Sequence, residues 1–382
     1  MAGAPDALTT TELVRPSTDP VGEDAGAQHP TTTPGGVMEP SALFTWNLPA
    51  GTPAGTPQLP THHGVPAVVN EESEDAGLTL PTTLDEVEAP VLVHAMRGAI
   101  DAGHAGALVA GHLLAAHPTR RVATFDVEEL LDYRSRRPVV TFDRTAYTDY
   151  ATPQLALDYV ATADGGMLLL HGVEPDLRWE TFSTAVREIV ERLGVRTTVA
   201  LQGIPMGVPH TRPVSVTEHA TREDLVEPAP ELFGTVQVPG TAASLLELRL
   251  GEHGHDAMGF AVHVPHYLAQ TEYPAAAAEL LRRLARVTEL PLDTGALDRA
   301  AGTMRVEIDR QVAEAPEVAS LVSALEQQYD AYVEAAGKSL LAGTHVPSAD
   351  EIGAQFEAFL AAQAGEDSDD DGDGSLGGPH EA

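Results

Sequence analysis

Short apolar runs, separated by polar and turn-forming segments, organise the middle of the chain. APVLVHA (89–95), RVATF (121–125), PVVTF (138–142), GMLLLHG (166–172), TTVALQG (197–203) and GFAVHV (259–264) have the length and apolarity of buried strands. Between them the apolar period changes to that of a helix. GHAGALVAGHLLAAH (103–117) predicts one helix. Residues 178–193 predict another, with Phe182, Val186, Ile189 and Leu193 on one face and Glu188 set four residues before Arg192. Apolar strands alternating with helices predict an α/β sheet covered on both faces.

Beyond residue 273 the pattern is helical throughout. One helix opens at Pro274 and carries Leu280, Leu281, Leu284 and Val287. A second aligns Leu297, Ala301, Met304 and Ile308, and a third runs from Pro316 to near Gly337. A fourth is signalled by Ser348 with Glu351 three residues on, followed by Ile352, Phe356 and Leu360. These helices are expected to pack on the sheet domain or on a sister subunit.

The flanks read differently. Residues 1–40 are Pro-rich and acidic, and predict a disordered arm. In 41–88, SALFTWNL (41–48) supplies Leu43, Phe44, Trp46 and Leu48, enough apolar surface for a docking strap, before a Pro, Gly and acid-rich loop. The expected organisation continues with an α/β domain over 89–272, a helical region over 273–364 and a disordered acidic tail over 365–382.

Charge sharpens this picture. Of the net charge of -35 in 382 residues, residues 1–88 carry 13 acids against Arg15 alone, and 366–382 carry seven acids and no base. Such a balance argues against nucleic acid and anionic membrane surfaces as partners. With no Cys there is no disulfide, thiolate nucleophile or Cys-ligated metal. No apolar run approaches ~18 residues, and MAGAPDALTT has neither the basic nor the apolar region of a secretory signal. A cytoplasmic location is expected. Neither a metal nor a cofactor is implied.

Familiar catalytic motifs fail on context. Gly372, Gly374 and Gly377 match GxGxxG inside an acidic tail, with no strand before them and no helix after. No GxSxG or HExxH occurs. Three segments at expected strand ends remain, where α/β sheets place ligands. HAMRGAIDAGHAG (94–106) offers Gly98, Asp101, Gly103 and His104 ahead of a helix, as an anion site or as a tight turn with Asp101 capping. HGVEPDLRWE (171–180) crowds Glu174, Asp176 and Arg178 into one turn, for acid–base work or for capping and ion pairing. GIPMGVPHTRP (203–213) presents His210, Thr211 and Arg212 on a Pro-stiffened loop, toward a ligand or a neighbouring subunit. The expected pocket joins Asp101, His104, Glu174, Asp176, His210 and Arg212 as catalytic candidates, with Gly98, Gly103, Arg178 and Thr211 binding ligand. Arg134, Arg136 and Arg137 form a basic knot, read as an anion site or an inter-subunit ion-pair patch, with the interface preferred.

LLDYRSRRPVVTF (130–142), HGVEPDLRWETF (171–182), RLGVRTTVALQGIPMGVPHTRP (192–213), VPGTAASLLELRL (238–250), HDAMGFAVHVPHYLAQTEYPAAAAELL (255–281) and LEQQYDAYV (325–333) resemble the actinobacterial branch of the PAC2 family, named for proteasome assembly chaperone 2. The resemblance covers about 89–364. It implies a three-layer α/β/α sandwich similar to phosphorylase/hydrolase-like folds, with a C-terminal set of helices. It also implies self-association and a non-enzymatic role in assembly, with proteasome subunits as partners. Family chaperones dock through a C-terminal hydrophobic-Tyr-any tripeptide; this sequence ends Pro379-His380-Glu381-Ala382. The alternative is a small-molecule-binding or hydrolase/phosphorylase-like enzyme with its pocket at the strand ends.

Overall fold

The computed structural model describes residues 38–51, 78–98, 100–227 and 235–339. The expected helix beginning at Ser348 and most of both flanks lie outside these residues. Among the described residues there are ten strands: β1 Phe44–Trp46, β2 Val91–Arg97, β3 Thr119–Phe125, β4 Val140–Asp143, β5 Ala146–Tyr150, β6 Leu155–Thr162, β7 Gly165–Val173, β8 Thr197–Met206, β9 Val216–Ala220 and β10 Asp256–Pro265. The helices are α1 Ala105–Ala116, the single turn α2 Val127–Leu130, α3 Trp179–Leu193, α4 Ala242–Glu252, α5 Pro274–Thr288, α6 Gly295–Glu314 and α7 Pro316–Ser339.

Eight strands form one mixed sheet in the order β1-β3-β6-β7-β2-β8-β10-β9. Its centre, β7-β2-β8-β10, is parallel. β1, β3 and β6 continue it antiparallel on one side, and β9 closes the other edge antiparallel to β10. Alternation along each strand sorts the side chains between two layers. Val93 and Ala95 of β2, Val199 and Leu201 of β8, and Met258 and Phe260 of β10 share a core with α1 and α5, which pack on each other. α6 packs on α5 and α7 on α6. The intervening residues of β2, Leu92 and His94, face the other layer, where α3 packs on α4. The result is an α/β sandwich with C-terminal helices added on one side.

The strap around residues 41–48 is a 3-10 turn, Pro40–Leu43, followed by β1. It pairs antiparallel with β3, placing Phe44 opposite Phe125. Phe125 in turn meets Phe182 of α3 with ring centroids 5.5 Å apart.

Two strand expectations need correction. PVVTF (138–142) is not a buried strand of the main sheet. It contributes β4 to a separate two-stranded hairpin with β5, exposed at every residue. Among the described residues no helix layer covers its apolar side chains, so apolarity alone misplaced it. β6 was missed for the opposite reason. All eight of its residues are buried, including Asp158, whose charge hides the strand in the sequence. Arg121 of β3 pairs with that carboxylate, and His171 Nε2 of β7 lies in hydrogen-bond contact with its other oxygen. Among the described residues no helix is long and apolar enough to cross a membrane.

Candidate functional site

The three polar loops do gather at the carboxyl ends of the parallel strands, but their tips turn to different tasks. The first is held by Asp101. Its Oδ1 accepts the backbone N–H of Gly106 at 2.9 Å and of Gly203 at 3.2 Å, and its Oδ2 that of Ala107 at 3.1 Å. Asp101 thus caps α1 and pins the first loop to β8. Burial pushes its carboxyl upward, against those three donors. Gly103 sits at φ 66, and a Cβ there would meet Tyr273 at 2.8 Å. His104 follows in the left-handed region, exposed at the start of α1.

Glu174 is the buried carboxylate of the second loop. Its backbone N–H donates to Arg97 O, extending the β2–β7 ladder, and its Oε1 accepts the N–H of Ala242 at 2.8 Å. The carboxylate therefore occupies the N-terminus of α4, where a helix dipole favours negative charge. Gly98 makes the room, since a Cβ there would lie 1.6 Å from Glu174 Oε2. Glu174 joins the first two loops in this way. Asp176 turns elsewhere: its Oδ2 accepts the N–H of Asp132 and its Oδ1 binds the Arg136 guanidinium. Arg178 pairs with Glu129 at 2.8 Å.

The Arg knot is thereby divided. Arg136 is drawn inward to Asp176 and to Arg97 O. Arg134, its side chain 91% exposed, meets Asp132, and Arg137 is exposed.

His210, Thr211 and Arg212 bind the C-terminal helices instead of the Glu174 carboxylate. Tyr267 Oη accepts the His210 backbone N–H at 2.9 Å and lies 2.6 Å from its Nδ1. His210 Nε2 lies 3.1 Å from Asp309 of α6, and Arg305 donates to His210 O at 2.7 Å. One proton assignment satisfies the group: Tyr267 donates to Nδ1 and Nε2–H donates to Asp309. Burial lowers the His210 pKa, favouring that neutral ring. Thr211 hydrogen-bonds Glu326, and Arg212 bridges Glu326 and Asp330 of α7.

Among the described residues, a small cleft at the strand ends has room for about one water. It is lined by His94, Met96, Ile100, Glu174, Gln202, Thr241 and their neighbours. His94 is buried, and burial holds its pKa at about 4, so the ring is neutral near pH 7. Gln202 and Thr241 had not been singled out from the sequence. Thr241 carried a signal, because Ser244 three residues on completes a reciprocal cap at the start of α4. Among the described residues no group of three or more His, Asp or Glu side chains is arranged to hold a metal.

Comparison with known proteins places this geometry among relatives. The model of the PAC2 family matches residues 95–312. A Mycobacterium tuberculosis protein of unknown function, Rv2714, is 50% identical, with a TM-score of 0.64 over 66% of this chain and 86% of its own. A Corynebacterium glutamicum protein of unknown function is 36% identical, with a TM-score of 0.64 over 76% of this chain and 98% of its own. The M. tuberculosis proteasome-assembly chaperone homologue Rv2125 is 28% identical, with a TM-score of 0.54 over 61% of this chain and 99% of its own. A search of curated proteins finds no match.

Proposed function

The chain belongs to the PAC2 family, and we propose that it acts in the cytoplasm by binding other proteins, as a chaperone of proteasome core assembly. The observation that carries this reading is how the strand-end site is filled. Glu174 occupies the α4 N-terminus and Asp101 the α1 N-terminus, and the cleft beside Glu174 has room for about one water. Ligand pockets need several hundred Å³. The polar tips that an active site would gather, His210 and Arg212, are engaged with α6 and α7. The chain's polar chemistry is spent on holding loops and helices in place, which suits a scaffold that presents surfaces. The likeness to a proteasome-assembly chaperone homologue supplies the partner class. A hydrolase- or phosphorylase-like reaction has less support, since Asp176, His210 and Arg212 each engage separate partners.

The test mixes the full-length protein with free proteasome α- and β-subunits of the same organism and reads the species by native mass spectrometry. A complex with unassembled α-subunits or half-assembled rings is expected. Finding only the separate components would overturn the chaperone role.

A further inference from the structure

His94 of β2 is 2% exposed, and among the described residues neither of its ring nitrogens takes part in a hydrogen bond. A buried polar group without a partner costs stability and is uncommon in folded proteins. Ala200 of β8 is its register partner, and Gln202 lies two residues further along that strand. The ring and the Gln202 amide are therefore diagonal neighbours on one face of the sheet. The half-buried amide also has no hydrogen bond among the described residues. Both groups line the one-water cleft, together with the Glu174 carboxylate and the apolar Met96, Ile100 and Ala243.

The lining decides the ligand. The α4 N-terminus offers little to an anion, because Glu174 takes the Ala242 N–H and Thr241 takes that of Ser244. Acceptors face the cleft instead. Burial holds the His94 pKa at about 4, so its ring keeps a lone pair even beside a cation. Its charged neighbours are Glu247 of α4 and His219 of β9, which pair with each other at 2.9 Å. Gln202 adds an amide oxygen and Glu174 a negative charge, in a chain whose net charge of -35 already draws cations. A water would satisfy the ring and the amide but would leave the carboxylate without a counter-charge. Sodium and potassium seek several oxygen ligands, and an imidazole nitrogen serves them poorly. An ammonium group is about the size of a water, carries the matching charge, and donates to nitrogen and oxygen alike. A carbon attached to it would rest on Met96, Ile100 and Ala243. We infer that the His94, Gln202 and Glu174 cleft binds a primary ammonium head group.

The test uses the full-length protein and methylammonium chloride, with tetramethylammonium chloride and sodium chloride at equal concentration as controls. Tetramethylammonium has the charge but no N–H to donate, and it is too large for the cleft. Methylammonium at tens of millimolar is expected to raise the melting temperature by about 3 °C over both controls. Its methyl protons are expected to show saturation transfer from the protein. Gln202→Leu alters only a half-buried side chain and should weaken binding at least tenfold. His94→Leu should do the same; if that variant does not fold, Gln202→Leu decides. Nα-acetyl-lysine methylamide separates the sources of the head group. Saturation transfer to its ε-methylene, competed away by methylammonium, assigns a protein side chain; none, beside bound methylammonium, assigns a free amine. A response to methylammonium no larger than to either control, or an unchanged affinity in Gln202→Leu, would overturn the inference. No proteasome subunit enters this experiment, so either outcome leaves the chaperone role to its own test.

Discussion

Glu174 accepts the N–H of Ala242 at 2.8 Å although 68 residues separate them, and both are buried. One carboxylate thus closes the strand-end cleft, caps α4 and packs over Gly98. Four consequences of this and similar contacts can be measured.

Glu174→Ala leaves the Ala242 N–H buried without this partner and should cost about 2 kcal/mol. Gly98→Ala drives a methyl group into the same carboxylate and should also destabilise. In the Glu174→Ala background that clash is gone, so the double variant should cost at least ~1 kcal/mol less than the sum of the singles. Urea unfolding of the four proteins checks this; strict additivity would refute the contact.

Tyr267→Phe removes the hydroxyl that serves both His210 N and Nδ1. The expected loss is about 1–2 kcal/mol. Its effect should be local, because this group ties α6 to the loop after β8. Trypsin should cleave at Arg305 and Arg310 faster in the variant than in wild type. An unchanged digestion pattern would mean that the apolar contacts of α6 suffice to hold it.

His94 sets a pH dependence. Its folded pKa of about 4 lies below the ordinary 6.5, because burial penalises the charged ring. Between these values the unfolded chain binds the extra proton, so acidification favours unfolding there. Stability should fall between about pH 6.5 and 4 by on the order of 3 kcal/mol from this residue, and no further below. Buried His210 and His263, also lowered, act in the same direction. His94→Gln should flatten the pH profile of the melting temperature. A profile as steep as that of wild type would remove His94 from the account.

Asp158 works in the opposite chemical sense. Burial opposes its ionisation, yet His171 and Arg121 hold its pKa below the ordinary 3.8. Its contribution is fully present above that value and is lost as pH falls through the lower folded pKa. Asp158→Asn should cost about 2 kcal/mol near pH 7, since it leaves Arg121 half-buried without its counter-ion. The gap between variant and wild type should close in strong acid. A gap that persists there would point to lost packing rather than lost charge.

The strands at 91–97, 197–206 and 256–265 were legible because each is a nearly unbroken apolar run, and only a sheet covered on both faces makes use of one. α3 and α5 were legible because their apolar residues repeat at helical spacing. α4 was not, because its short, mixed face depends on the Thr241 and Ser244 cap and on a carboxylate 68 residues away.

Local pattern, charge and the family resemblance were therefore determined by the sequence alone, because each depends on residue order or on sums over residues. Tertiary structure decided which polar groups meet. His210 and Glu174 both follow strands that end on one side of the sheet, yet one ring binds Tyr267 and Asp309 while the other side chain caps α4. It also decided that Phe142 is exposed while Leu169, in an equally apolar run, is buried. Burial is a relation between segments distant in the chain, and an apolar strand carries no record of whether a helix will lie across it.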